Sequence, residues 1–390
     1  MTFSLVFTQH LPTLALVALG ASETVVGVQS ALGAADLLRL PTLRAVSVLS
    51  KRTILVAGQA AALVAALPLL FFPALLEHAR DGGPAVAIAL LSLVGVTAWV
   101  RVSDTVWFPL LRSYVEPARI GRFFGTLRSG WHLALIFYYL GASVWLARDP
   151  LGFGPLFAAA WMCGLLRIAL IRHLPERSER TGQRIRAREA IALLRDQPLL
   201  RRYLIGVSTA AAVRGSVVPF VIVMMRREVG FTDGQVLYTT VASFAGGLAS
   251  LYLWGRAVDR VGAAPVFRST SLGSAVLIAA LMLVETATSG VLAGVVAFFF
   301  LHAVLTAGFG VADTHVLFGL APDDAPARTL VIAAVVTSLL ASLAPLFVGL
   351  VLEVWLEGRE TGRLVIYHAF FATAALVQAG AFWPLREFRG

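Results

Sequence analysis

Apolar stretches of about 20 residues, the length a helix needs to cross a bilayer, recur from one end of this chain to the other. No other feature constrains the fold as much. Backbone groups in hydrocarbon must be satisfied inside a helix or a closed barrel, so the runs predict an all-α integral membrane protein. Composition agrees: 58% of residues are hydrophobic and 14% charged, with mean hydropathy +0.82. Soluble domains sit near 45–50% apolar and about 25% charged. A large soluble protein with buried helices would not contain so many long runs. Twelve spans are predicted, at 2–19, 24–43, 53–76, 85–110, 122–147, 154–172, 201–225, 235–255, 265–285, 288–315, 329–356 and 364–385.

The chain repeats itself once, at an offset of about 210 residues. Val102-Ser103-Asp104-Thr105 returns as Val311-Ala312-Asp313-Thr314, and Pro117-Ala118-Arg119 as Pro326-Ala327-Arg328. Leu19-Gly20-Ala21-Ser22-Glu23 returns as Val229-Gly230-Phe231-Thr232-Asp233, and Arg44-Ala45-Val46 as Arg256-Ala257-Val258. Two pseudo-symmetric six-helix halves follow, residues 1–172 and 201–390, divided by a central loop at 173–200. Such a chain can form a cleft between its halves that opens to either side. The register sets the start of the first span before residue 1, so that helix is short or the start codon lies upstream. The opening residues lack a basic n-region and a cleavage site, and are not read as a removable signal peptide.

Arginine placement sets the orientation. The segment from Arg172 to Arg202 has nine arginines against four acids, and the segments after spans two, four and eight are also basic. The opposite connections are mixed or acidic. Positive residues stay inside, which predicts a bacterial cytoplasmic (inner) membrane protein with both termini cytoplasmic. Arg226-Arg227 opposes the rule, with Glu228 and Asp233 close behind. Residues 184–194 are read either as a short amphipathic helix on the inner leaflet lipids or as a solvated linker. The net charge of +10 reflects this bias, and without a basic soluble domain no nucleic-acid partner is expected. A lone cysteine, Cys163, excludes an internal disulfide and a cysteine metal site.

Ser22 and Thr232 suit the N-caps of spans two and eight, with Glu23 and Asp233 placing negative charge at the positive helix ends. Pro265 suits the first turn of span nine. Between spans eight and nine runs Gly255-Arg256-Ala257-Val258-Asp259-Arg260-Val261-Gly262. This resembles the G-x-x-x-D-R-x-G loop of the major facilitator superfamily. The resemblance covers nearly the whole chain, given twelve spans in two like halves. It implies that fold, and a gating role for Gly255, Asp259, Arg260 and Gly262, with the Asp releasing a lock when the cleft opens inward. Two departures stand out. Ala263-Ala264 replace the basic residues after the second glycine, and Ser47 stands where the first-half Asp would sit. The G-x-x-x-G-P pattern of the superfamily's antiporters is absent from span five.

Intramembrane charge supports the same arrangement. Spans three, nine and twelve carry none in their cores, and span six only Arg167. In the resembled fold these helices face lipid. Arg101 and Asp104 lie on span four, Arg214 on span seven, and His302 and Asp313 on span ten, the helices that line the cavity in that fold. Asp36, Arg39, Arg128 and His132 lie on spans two and five. A charge at the bilayer centre costs about 2.5–3.5 kcal/mol on insertion scales, so such groups face water or one another. Asp104 and Asp313 either pair with Arg119, Arg128 or Arg328 as a cytoplasmic closure, where Arg128 is a gating candidate, or carry a proton. Arg101 and Asp104, three apart, can neutralise each other. Arg214 either pairs across helices, with Asp36 a candidate, or meets an anionic substrate group. His302 is a neutral core histidine or a proton carrier. Trp99, Trp107, Trp131, Tyr138 and Tyr139 either floor a cavity or pack between helices.

No phosphate-gripping loop, nucleophile elbow or metalloprotease motif occurs, so neither an enzyme nor a cofactor is expected. The expected function is secondary active transport of a small organic solute, proton-coupled, by alternating access, in a monomer. An uncoupled uptake facilitator and a non-transporting membrane scaffold are the alternatives.

Overall fold

A computed structural model describes residues 2–46, 48–80, 84–112, 120–173, 194–320, 326–359 and 361–388. Among them the twelve predicted spans are all helical. Span one is broken, Thr2–Val6 then His10–Ala18; span two runs Glu23–Ser30, a 3-10 stretch Ala31–Leu38, and Arg39–Ala45. Spans three to six are Lys51–Leu70 (continued by Phe72–Arg80), Ala85–Arg112, Ile120–Arg148 and Phe153–Ile171. Spans seven to nine are Pro198–Met224, extended by a π turn Met225–Val229, then Asp233–Val261 and Ala263–Ala280. Spans ten to twelve are Ser289–Leu320, Pro326–Leu356 and Arg363–Gly380. Ten described helices are long and apolar enough to cross a membrane unbroken; the interrupted spans one and two are the other two.

The repeat is visible in the backbone. Gly20 and Gly230 both have positive φ, +85° and +87°, and so reverse the chain where one span ends and the next begins. Two residues on, Ser22 accepts from Val25 N–H. Thr232 forms a full capping box with Gln235, which satisfies two otherwise orphaned groups at the helix start. The segment Pro117–Arg119 lies outside the described residues.

The halves meet along two helix pairs, spans two and eleven and spans five and eight. On the first, a side chain on Gly27 would collide with the Pro345 carbonyl at 2.6 Å, and one on Gly349 with the Glu23 carbonyl at 2.6 Å. Glycine at both positions lets the backbones close up. On the second, Ser143 Oγ donates to the Gly234 carbonyl at 2.7 Å, and Tyr139 stacks on Phe244. One buried apolar core runs through both halves, from Phe3 and Phe7 to Phe220, Phe299 and Phe371.

Candidate functional site

Between the halves lies a cavity of about 440 Å³. Its walls come from spans one, two and four of the first half and seven, eight and ten of the second. The break in span one falls in this wall: Phe7, Thr8, Gln9 and His10 all line the cavity. Irregular backbone at membrane depth is tolerated where it lines a cavity. His10 Nδ1 is 2.6 Å from Thr240 Oγ1 on span eight, a contact between the halves. Thr13 donates to Gln29 at 3.0 Å beside it. Among the described lining residues none is Asp or Glu.

Arg101, Arg214 and His302 line this cavity. Arg101 makes no direct ion pair with Asp104. It turns to Asp36, Nε to Oδ1 3.4 Å, too misaligned for a hydrogen bond. Arg39 holds the same oxygen at 2.8 Å. Asp36 is therefore committed to Arg39 and Arg101, and Arg214 does not reach it. The Arg214 guanidinium sits 4.7 Å over the Phe309 ring instead. His302 stacks on Phe298, ring centroids 5.3 Å apart and 13° from parallel, with Nδ1 buried and without a partner among the described residues.

The repeat-related aspartates have different surroundings, and neither lines the cavity. Asp313 accepts a hydrogen bond from Tyr203 on span seven. Asp104 has its Oδ1 buried with no hydrogen-bond partner, as do Gln59 Nε2, Trp107 Nε1 and Arg167 Nη2. Arg167 lies over the Trp107 ring at 4.8 Å and reaches Gln59 at 3.3 Å. It is the cation that acts most strongly on Asp104. The side chains of Arg119, Arg128 and Arg328 lie outside what the structure describes; Arg128 belongs to span five.

In the loop from Gly255 to Gly262, Gly262 takes φ +79° and starts span nine. Asp259 and Arg260 are exposed and make no ion pair with a described residue. The opposite face is closed by a network that sequence reading treated as helix caps. Arg227 Nη1 meets Glu23 Oε1 at 2.6 Å and also donates to the Ala21 carbonyl. Tyr367 Oη donates to Glu23 Oε1 at 3.2 Å, and Thr24 N–H to Glu353 at 2.9 Å. All of these join one half to the other. Arg363 bonds Glu228 at 2.9 Å, and Arg226 bonds Asp233 at 2.5 Å. Arg226 and Arg227, which opposed the charge rule, are thus neutralised locally.

Of the five aromatic residues expected either to floor a cavity or to pack between helices, none is in its lining. Trp107 and Tyr139 are buried elsewhere and Trp99 faces outward. Tyr138 donates to the Leu156 carbonyl, and Trp131 packs against the core. Phe7 and Phe299 supply the rings instead. His10, Thr13 and Gln29 were not singled out from sequence. The one available signal was a polar Thr8-Gln9-His10 run inside an apolar span.

No family sequence profile matches the chain, and no curated protein matches it in sequence. Solved structures do. A nucleoside transporter, NupG (a D323A mutant), superposes with TM-score 0.74 at 14% identity, over 98% of this chain and 96% of that one. A bacterial homologue of the iron transporter ferroportin, in an inward-facing state, gives 0.70 at 15%, over 98% and 96%. A D-xylose-proton symporter gives 0.64 at 16%, over 100% and 96%. The chain has the major facilitator fold, an integral membrane architecture of two pseudo-symmetric six-helix halves. Chains with different cargoes share this scaffold, so the residues of the cavity, not the fold, bear on what is carried.

Proposed function

We propose that this protein is a secondary transporter that moves a small organic solute across the bacterial cytoplasmic membrane by alternating access, in its inward-facing form here. One observation carries the reading: a cavity lies between the halves, and at the Glu23 face ion pairs and hydrogen bonds cross from half to half. Arginine placement makes the Glu23 face external. On the other face Asp259 and Arg260 are exposed and make no ion pair with a described residue. Residues 1–172 and 201–390 would rock against each other, joined by 173–200, with both termini cytoplasmic and one chain sufficient. Asp104, with an unpartnered buried oxygen, is the proposed proton carrier. Asp36, itself bonded by Arg39, holds Arg101 in the wall, and Gly255, Asp259, Arg260, Gly262 and Arg128 serve the inner gate.

The test is a distance measurement between spin labels at Arg148 and Thr232, the external ends of spans five and eight, in a Cys163→Ser background. Glu23→Gln with Arg227→Gln should shift the population to longer distances. A single unchanged distance in every variant and solute condition would remove the alternating-access reading and leave a static scaffold.

A further inference from the structure

This inference rests on the transporter reading and concerns what the cavity accepts. We propose that it binds a small organic monoanion, a carboxylate with an apolar body. Its charged group docks on Arg214, and His302 and Thr306 complete its hydrogen bonds.

Among the described intramembrane arginines, Arg167 and Arg214 each sit over an aromatic ring without a described carboxylate within 4.0 Å, and of the two only Arg214 lines the cavity. Arg101, Arg226, Arg227 and Arg363 each have a carboxylate within reach. Arg214 has no described carboxylate within 4.0 Å and makes no hydrogen bond to a described residue. Asp313 acts on it electrostatically from beyond 4.0 Å, with Oδ1 accepting from Tyr203. The Phe309 ring covers one face of the guanidinium and leaves the edges, where the N–H donors lie, for another group. An arginine at membrane depth is costly without an acceptor. Its fork of donors fits a carboxylate with two parallel bonds.

A second observation points to the same place. His302 and Thr306 are four apart on span ten, on one helix face, and both line the cavity with Arg214. Each has a buried polar atom, His302 Nδ1 and Thr306 Oγ1, with no partner among the described residues. His302 is only 5% exposed and is held by its stack on Phe298. Buried polar atoms left unpaired in a native cavity call for a partner, and a bound ligand supplies one.

The rest of the wall sets charge and size. No described lining residue is acidic, and Arg101 is offset by Asp36 behind the wall. One cation in the wall is thus left without a described carboxylate in contact, which suits one negative charge. Leu32, Val218, Ile222 and Phe299 face the remaining space and suit an apolar body. The volume, about 440 Å³, falls at the small end of ligand pockets.

The experiment uses purified full-length protein in nanodiscs and a panel of aliphatic and aromatic monocarboxylates, each paired with its primary amide. Binding is read by calorimetry. Acids are expected to bind about 10- to 100-fold more tightly than their amides, the weight of a charge-assisted hydrogen bond. Arg214→Gln should erase that preference, and Arg214→Lys should retain part of it. The proposal is overturned if amides match acids, if no acid in the panel binds, or if Arg214→Gln keeps the preference. The acid–amide comparison on the wild type stands even if a variant fails to fold. A protein that prefers acids while its Arg148–Thr232 distance never changes keeps this site and loses the transport reading. One whose distance responds only to neutral solutes keeps transport and loses this site.

Discussion

Asp104 and Asp313 occupy equivalent places in the repeat, yet their neighbours assign them different work. Tyr203 donates to Asp313, so Tyr203→Phe strands a carboxylate oxygen at membrane depth. A loss of about 1–3 kcal/mol is expected, seen as a lower melting temperature in detergent. Asp104 Oδ1 has no such donor among the described residues. In proteoliposomes, Asp104→Asn is expected to preserve downhill exchange and abolish accumulation driven by a pH gradient. Accumulation that survives the substitution would take the proton role away from Asp104. Both aspartates could be picked out from sequence by type and register. Their different partners could not, because Tyr203 is 110 positions from Asp313 and the pairing requires spans seven and ten to lie side by side.

Among the elements, the span starts were the most legible parts of the chain. Gly20-x-Ser22 and Gly230-x-Thr232 encode their own geometry, because positive φ and capping are local properties. The two caps differ in strength. Thr232 has its reciprocal glutamine, whereas Ser22 accepts at 3.5 Å. Thr232→Ala should therefore destabilise more than Ser22→Ala, by about 1 kcal/mol for the stronger cap, measured by thermal melting of the two variants in parallel. The breaks in spans one and two left only a faint trace in sequence, since apolarity over about 20 residues does not report whether a helix is continuous. Close approach is a second property of element pairs. Gly349→Val would push span eleven off span two. A cysteine placed at Val218 in the cavity, in a Cys163→Ser background, should then react faster with an external membrane-impermeant thiol reagent. Equal rates would show that the seal does not depend on that contact.

For the whole molecule, the seal of the Glu23 face is a coupled network. Arg227 bridges the Ala21 carbonyl and the Glu23 carboxylate, and Tyr367 shares that same carboxylate oxygen. Residues within one network do not contribute additively. Glu23→Gln and Arg227→Gln should each shift the Arg148–Thr232 distance, and the double variant should shift it by less than the sum. Additive shifts would mean that the two act separately. Sequence alone determined that the chain spans a membrane about twelve times, that it consists of two like halves, and which helices concentrate charge. Each of these follows from local apolarity, local capping or the repeat, which require no knowledge of neighbours. Tertiary structure alone decided that Arg101 belongs to Asp36, that Glu23 joins the halves to Arg227, and that Arg214 faces the cavity without a described carboxylate partner. An ion pair at membrane depth is fixed by which helices pack together, and sequence separation carries no information about that.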